Sequence, residues 1–127
     1  MKREEAAIQR RHYDLMAWQE GMKLAEAVYA LTSGFPADER FGLTGQIRRA
    51  AVSVPSNIAE GAARITKKEF LHFLAIARGS LSELVTQLIL SRKLDFPGDY
   101  SASNHHLNQT FKLLNGLISA TRAELAP

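Results

Sequence analysis

Apolar residues recur along most of this chain at intervals of three and four. Leu15, Trp18, Met22, Ala25 and Tyr29 are spaced 3, 4, 3, 4, which predicts the seam of an amphipathic helix running to about Leu31, where Ser33-Gly34-Phe35-Pro36 stops it. After a loop around Pro36 to Gly42, Leu43, Ile47, Ala50, Val54 and Ile58 continue the spacing, and Ala51 and Val52 widen the stripe into a mostly buried second helix. Pro55 lies inside it without an N–H for the Ala51 carbonyl, so a kink or short break is expected around Val52 to Ser56, with Gly61 as the stop. Thr66-Lys67-Lys68-Glu69 has the form of a capping box and predicts the start of a third helix. Phe70, Leu74, Ala77, Leu81, Leu84 and Leu88 carry that helix to about Leu94, with Phe73, Ile76 and Val85 as a second apolar edge. Phe96-Pro97-Gly98-Asp99 reads as a turn, and Leu107, Phe111, Leu114, Ile118 and Leu125 mark a last helix from near Ser101 to Asn104. No segment alternates with period two. The expected fold is all-α, an antiparallel up-and-down four-helix bundle over residues 14–127, preceded by a charged arm at residues 1–13.

Composition narrows the classes. The 127 residues fit one domain and one core. With no cysteine there are no disulfides, thiolate metal sites or cysteine nucleophiles. No apolar run is expected to approach the roughly 18 residues of a membrane span, and the first residues are charged, so a cytoplasmic protein without a membrane partner is expected. Sixteen Lys and Arg against thirteen Asp and Glu give a formal net charge of +3, compatible with a polyanionic partner.

Catalytic and metal chemistry find little support. Glu69 and His72 form one E-x-x-H element, but a di-iron bundle needs a second and two more inward Glu; Glu69 is explained by capping. His105 and His106 are adjacent, so their rings diverge by about 100° on a helix and cannot share a metal without outside ligands. Ser53, Ser56 and Ser80 have no His at helical spacing, no Arg is followed four to six residues later by His, and no phosphate-cradling glycine motif occurs. The expectation is a non-enzyme with no cofactor and no metal.

The basic residues are more suggestive. Arg48 and Arg49 on the second helix, Arg64, Lys67 and Lys68 around the turn to the third, and Arg78 within it are candidates for nucleic-acid backbone contact. Exposed aromatics placed for base stacking are not expected. Small and polar residues interrupt the second helix at Ser53, Pro55, Ser56, Asn57, Glu60 and Gly61. Asn57 and Glu60 could bond the carbonyl freed by Pro55, bind arginines or reach a neighbouring subunit, while Gly79 and Ser80 opposite would let backbones approach. The wide apolar perimeter of the second and third helices favours self-association.

Asp14-Leu15 with Trp18, Phe35-Pro36, the run from Glu39 to Leu43, the run from Gln46 to Gly61 (QIRRAAVSVPSNIAEG) and the run from Ala77 to Leu84 (ARGSLSEL) resemble the bacterial four-helix bundle proteins encoded in 23S rRNA intervening sequences. The likeness covers about residues 14–90. It implies an antiparallel bundle that assembles into a homopentameric ring with a positive surface. It also implies kinship with the accessory variability proteins of diversity-generating retroelements, which bind nucleic acid and a reverse transcriptase. No catalytic activity comes with it. The expected function is an oligomer that binds RNA or DNA through backbone phosphates; the alternative is a protein-interaction scaffold without nucleic-acid binding. In an oligomer the arginines could instead pair with Glu60 or Glu83 across subunits, with Pro55, Asn57, Gly61, Gly79 and Ser80 serving packing.

Overall fold

The computed structural model describes His12 and residues 15–126, so the expected N-terminal arm lies, His12 apart, outside the described residues. Four helices follow in order: α1 (Met16–Thr32), α2 (Leu43–Ala62), α3 (Lys67–Lys93) and α4 (Ser101–Leu125), with a 3₁₀ turn at Ala37–Glu39. Among the described residues there is no strand.

Local chemistry sets the ends. The Glu39 carboxylate accepts from the Leu43 N–H at 3.0 Å, placing negative charge at the start of α2. Thr66 caps α3, its hydroxyl accepting from the Glu69 N–H at 3.1 Å; the Glu69 carboxylate accepts from that same hydroxyl rather than from the Thr66 backbone, so only half of the expected box forms. The α3–α4 turn places Asp95 and Gly98 at positive φ. A Cβ on Gly98 would come within 2.6 Å of Leu31, so glycine is required there on both counts. Ser91 and Tyr100 share a buried hydroxyl hydrogen bond at 2.9 Å, and Phe35 meets Phe96 edge-on at 5.2 Å, tying this turn to the end of α1.

Each helix packs on two neighbours, α1 on α2 and α4, and α3 on α2 and α4, and among the described residues the diagonal helix pairs make no close backbone approach. Side-chain pairings run in opposite directions along consecutive helices: Arg48 with Thr32 and Pro55 with Gly21 for α1–α2, Ser53 with Ser80 and Gly61 with Phe73 for α2–α3. Arg78 with Asn115 and Lys67 with Glu124 do the same for α3–α4. The core holds Leu24, Val28, Ile47, Val54, Ile58, Leu74, Leu81, Leu84 and Leu114, all fully buried. The 27-residue α3 is, contrary to the expectation that no segment would be, long and apolar enough by composition to cross a membrane. Its apolar residues Phe70, Leu74, Leu81, Leu84 and Leu88 are taken up by this core, and Arg78 and Glu83 stand mid-helix.

Three sequence expectations change. The buried seam of α1 is Ala17, Gly21, Leu24, Val28 and Leu31, with the same spacing but a different face. Trp18 and Ala25 only flank the core, and Met22 and Tyr29 are exposed, while Gly21 of the buried face meets the Pro55 ring of α2. Second, α2 runs unbroken through Pro55. Asn57 Nδ2 bonds the Ser53 carbonyl at 2.8 Å and the Ser53 hydroxyl at 2.9 Å, not the Ala51 carbonyl that Pro55 leaves free. Third, Gly61 does not stop α2, which continues to Ala62. Its role is proximity: a Cβ there would lie 2.8 Å from the Phe73 Cβ and 3.2 Å from the Phe70 carbonyl. Gly79 has nothing within 4 Å of an added Cβ, so it permits no close approach within the chain.

The Thr44 and Ser103 hydroxyls and the Gln87 amide oxygen are buried without a hydrogen-bond partner among the described residues. Each such group costs about 1–3 kcal/mol.

Gly61→Ala is expected to lower stability by about 1–2 kcal/mol, overpacking at Phe73 outweighing the helix propensity of alanine. Gly79→Ala should raise it by about 0.5–1 kcal/mol, since only the propensity acts there. Equal signs in urea denaturation of the pair would refute this account of α2–α3 packing. Ser103→Ala should stabilise by about 1 kcal/mol through loss of an unpaired buried hydroxyl, read as a rise in the urea midpoint at constant slope.

Candidate nucleic-acid interface

Five of the six expected phosphate-contacting residues fall on two surfaces. At the α2–α3 turn, Arg64, Lys68 and Arg78 line a groove of about 650 Å³ together with His72 and Arg122, over a floor that includes Leu71 and Ile118. The Arg64 guanidinium lies over the Phe73 ring at 4.7 Å and 3.5 Å from the exposed Glu60 carboxylate. Arg78 donates to the Asn115 Oδ1 at 3.3 Å, so α4 holds it at the groove edge. Glu69 is the one carboxylate in the lining, and its Oε1 is engaged by the Thr66 hydroxyl. Lys67 points elsewhere, to Glu124 on α4. Four cations above an apolar floor at a helix N-terminus can hold phosphate oxygens while the floor takes the sugar or base edge.

Arg48 and Arg49 sit toward the other end of α2, about 20 Å away at 1.5 Å per residue. There a cleft of about 640 Å³ is lined by Tyr29, Arg40, Phe41, Arg48 and Arg49, with Gly45, Val52 and Ser53, and by no carboxylate. Arg48 Nε donates to the Thr32 hydroxyl at 2.8 Å and its guanidinium covers the Tyr29 ring at 4.6 Å. Arg40 lies over Phe41 at 5.6 Å. Phe41 is 91% exposed and Tyr29 46%, which overturns the expectation that no exposed aromatic would stand beside the basic residues.

Sequence reasoning missed Arg40, His72 and Arg122 as lining residues. Arg122 reaches the groove only through the antiparallel register of α3 and α4, for which no local pattern exists. Arg40 beside Phe41 was legible as a basic–aromatic pair.

Several of the remaining candidates make contacts within the bundle. Ser53 and Ser80 share a hydrogen bond at 2.9 Å, joined by Asn57, with no His among these partners. Glu60 is a surface partner of Arg64, and Glu83 is exposed. His72 lies edge-on to Phe73 at 5.3 Å. The His105–His106 pair does gain an outside carboxylate: Glu20 Oε1 is 2.5 Å from His106 Nδ1, a bond that accounts for the buried side of that ring. Along α1–α2, Trp18, Met22, Ala25, Val52, Pro55, Ser56 and Ala59 line an uncharged groove of about 280 Å³.

Comparison with curated proteins finds none that matches. The family model described as 23S rRNA-intervening sequence protein matches residues 13–116, reaching beyond the resemblance at residues 14–90 into α4. A match over most of the chain, on a sequence that folds as four helices, places this protein in the 23S rRNA-intervening sequence protein family.

Proposed function

We propose that the protein is a non-catalytic, self-associating helical bundle that binds nucleic acid through backbone phosphates. What carries this reading is the gathering of Arg64, Lys68, Arg78 and Arg122 around one groove whose single lining carboxylate, that of Glu69, accepts from the Thr66 hydroxyl. A +3 chain is only modestly cationic, but a ring of five would present five such grooves at once, and avidity would replace depth. Self-association is supported by the uncharged α1–α2 groove and by Ile76, Ile89 and Leu90, exposed on α3. These are two different patches, as a closed ring of more than two copies requires.

A second reading is a protein-interaction scaffold, favoured by the same apolar surfaces if they receive another protein, such as the reverse transcriptase that the resemblance implies.

Affinity of the wild type for RNA and DNA should fall linearly on a logarithmic salt scale, with a slope of about −0.9 per phosphate contact on duplex and −0.7 on single strands. Combined Arg64→Glu, Lys68→Glu and Arg122→Glu should lower affinity more than about tenfold and flatten the slope by roughly 2–3, with helicity unchanged. Salt-insensitive or absent binding by the wild type would refute the phosphate reading and favour the scaffold. Val52→Glu should reduce the assembly from about five times 14.1 kDa to a smaller species in sedimentation analysis; an unchanged mass would remove α1–α2 from the interface.

A further inference from the structure

The cleft at the Arg48 end of α2 differs in kind from the groove around Arg64. Its outer wall is Phe41, whose ring is 91% exposed, and Tyr29 is half-exposed in the same lining. The burial of Phe35, Phe96 and Tyr100 in one cluster shows where aromatic rings go when they serve the core; Phe41 is held out of it by the loop before α2.

The cations differ in how they are held. Arg48 is fixed at the back by Thr32 and Tyr29, whereas Arg40 and Arg49 are exposed. Gly45 keeps room between them: a Cβ there would come 3.0 Å from the Arg40 carbonyl and 3.3 Å from an Arg49 Nη atom. The nearby Glu39 carboxylate caps Leu43 and does not line the cleft. About 640 Å³ is within the usual range of small-ligand sites.

A solvated π-face flanked by guanidinium groups matches an unpaired nucleobase with its adjoining phosphates, because stacking accepts any base while arginine holds the backbone. Duplex bases have both faces occupied by neighbours and offer Phe41 nothing.

We propose that this cleft takes unpaired nucleotides of single-stranded nucleic acid, with Phe41 stacking on a base, Arg40 and Arg49 holding the flanking phosphates, and Arg48 on Tyr29 forming the rear wall. This rests on the nucleic-acid reading above and adds the strandedness of the ligand and the face that reads it.

The test compares wild type, Phe41→Ala and Phe41→Trp, each verified by sedimentation, on a labelled single-stranded oligouridine and on an RNA duplex. Phe41→Ala should weaken oligouridine binding about tenfold or more and duplex binding less than about twofold. Phe41→Trp should restore oligouridine binding, with its added indole fluorescence quenched when the strand binds. If wild type binds both ligands and Phe41→Ala changes neither, or both equally, the cleft proposal is overturned while phosphate binding stands. A change of assembly mass in Phe41→Ala overturns it too, marking Phe41 as a contact between copies. Wild type binding neither ligand at low salt overturns both readings.

Discussion

The bundle depends on how closely α2 can approach its neighbours. Gly61 lets α2 lie against Phe70 and Phe73 of α3, while Gly21 of α1 faces the Pro55 ring with room for one more methyl group at ordinary van der Waals distance. Ala50, Ala51 and Ala62 on α2 and Ala77 on α3 complete a seam of small side chains, and α2–α3 is the most extensive helix pair in the molecule. Close packing of this kind gains dispersion along the helices but tolerates little added volume. The larger side chains are thereby pushed outward: Trp18, Met22 and Tyr29 stand at the edges of α1, where they border the grooves.

Pro55 fits the same constraint. Its ring removes one helical hydrogen bond, a loss usually large enough to bend or end a helix. Here α2 continues, with the ring buried facing Gly21 on one side and a hydrogen-bonded cluster of Ser53, Asn57 and Ser80 on the α3 side. Residues that read as a disruption in sequence are a means of joining three helices at one level.

Helix number and approximate bounds were legible because three–four spacing, the Thr66 cap and the Pro-Gly turns are local signals. The buried face of α1 was not. Leu15, Trp18, Met22, Ala25 and Tyr29 satisfy the period as well as Ala17, Gly21, Leu24, Val28 and Leu31 do, and the first set carries the larger side chains. The basic residues were legible as types but not as a surface: Arg64 and Arg122 share a groove across 58 positions of sequence, while Lys67, adjacent to Lys68, faces away. The exposure of Phe41 likewise depends on a loop path that no periodicity encodes.

The unbroken course of α2 has a consequence of its own. A helix with a kink at Pro55 would leave the two arginine-rich surfaces free to swing toward each other; a continuous one, clamped on both sides by small-residue seams, makes them the ends of a strut of about 20 Å. A molecule reaching from Arg49 to Arg64 would itself have to cover that distance, so the continuity of α2 fixes a spacing between these two cations that no bend at Pro55 can shorten.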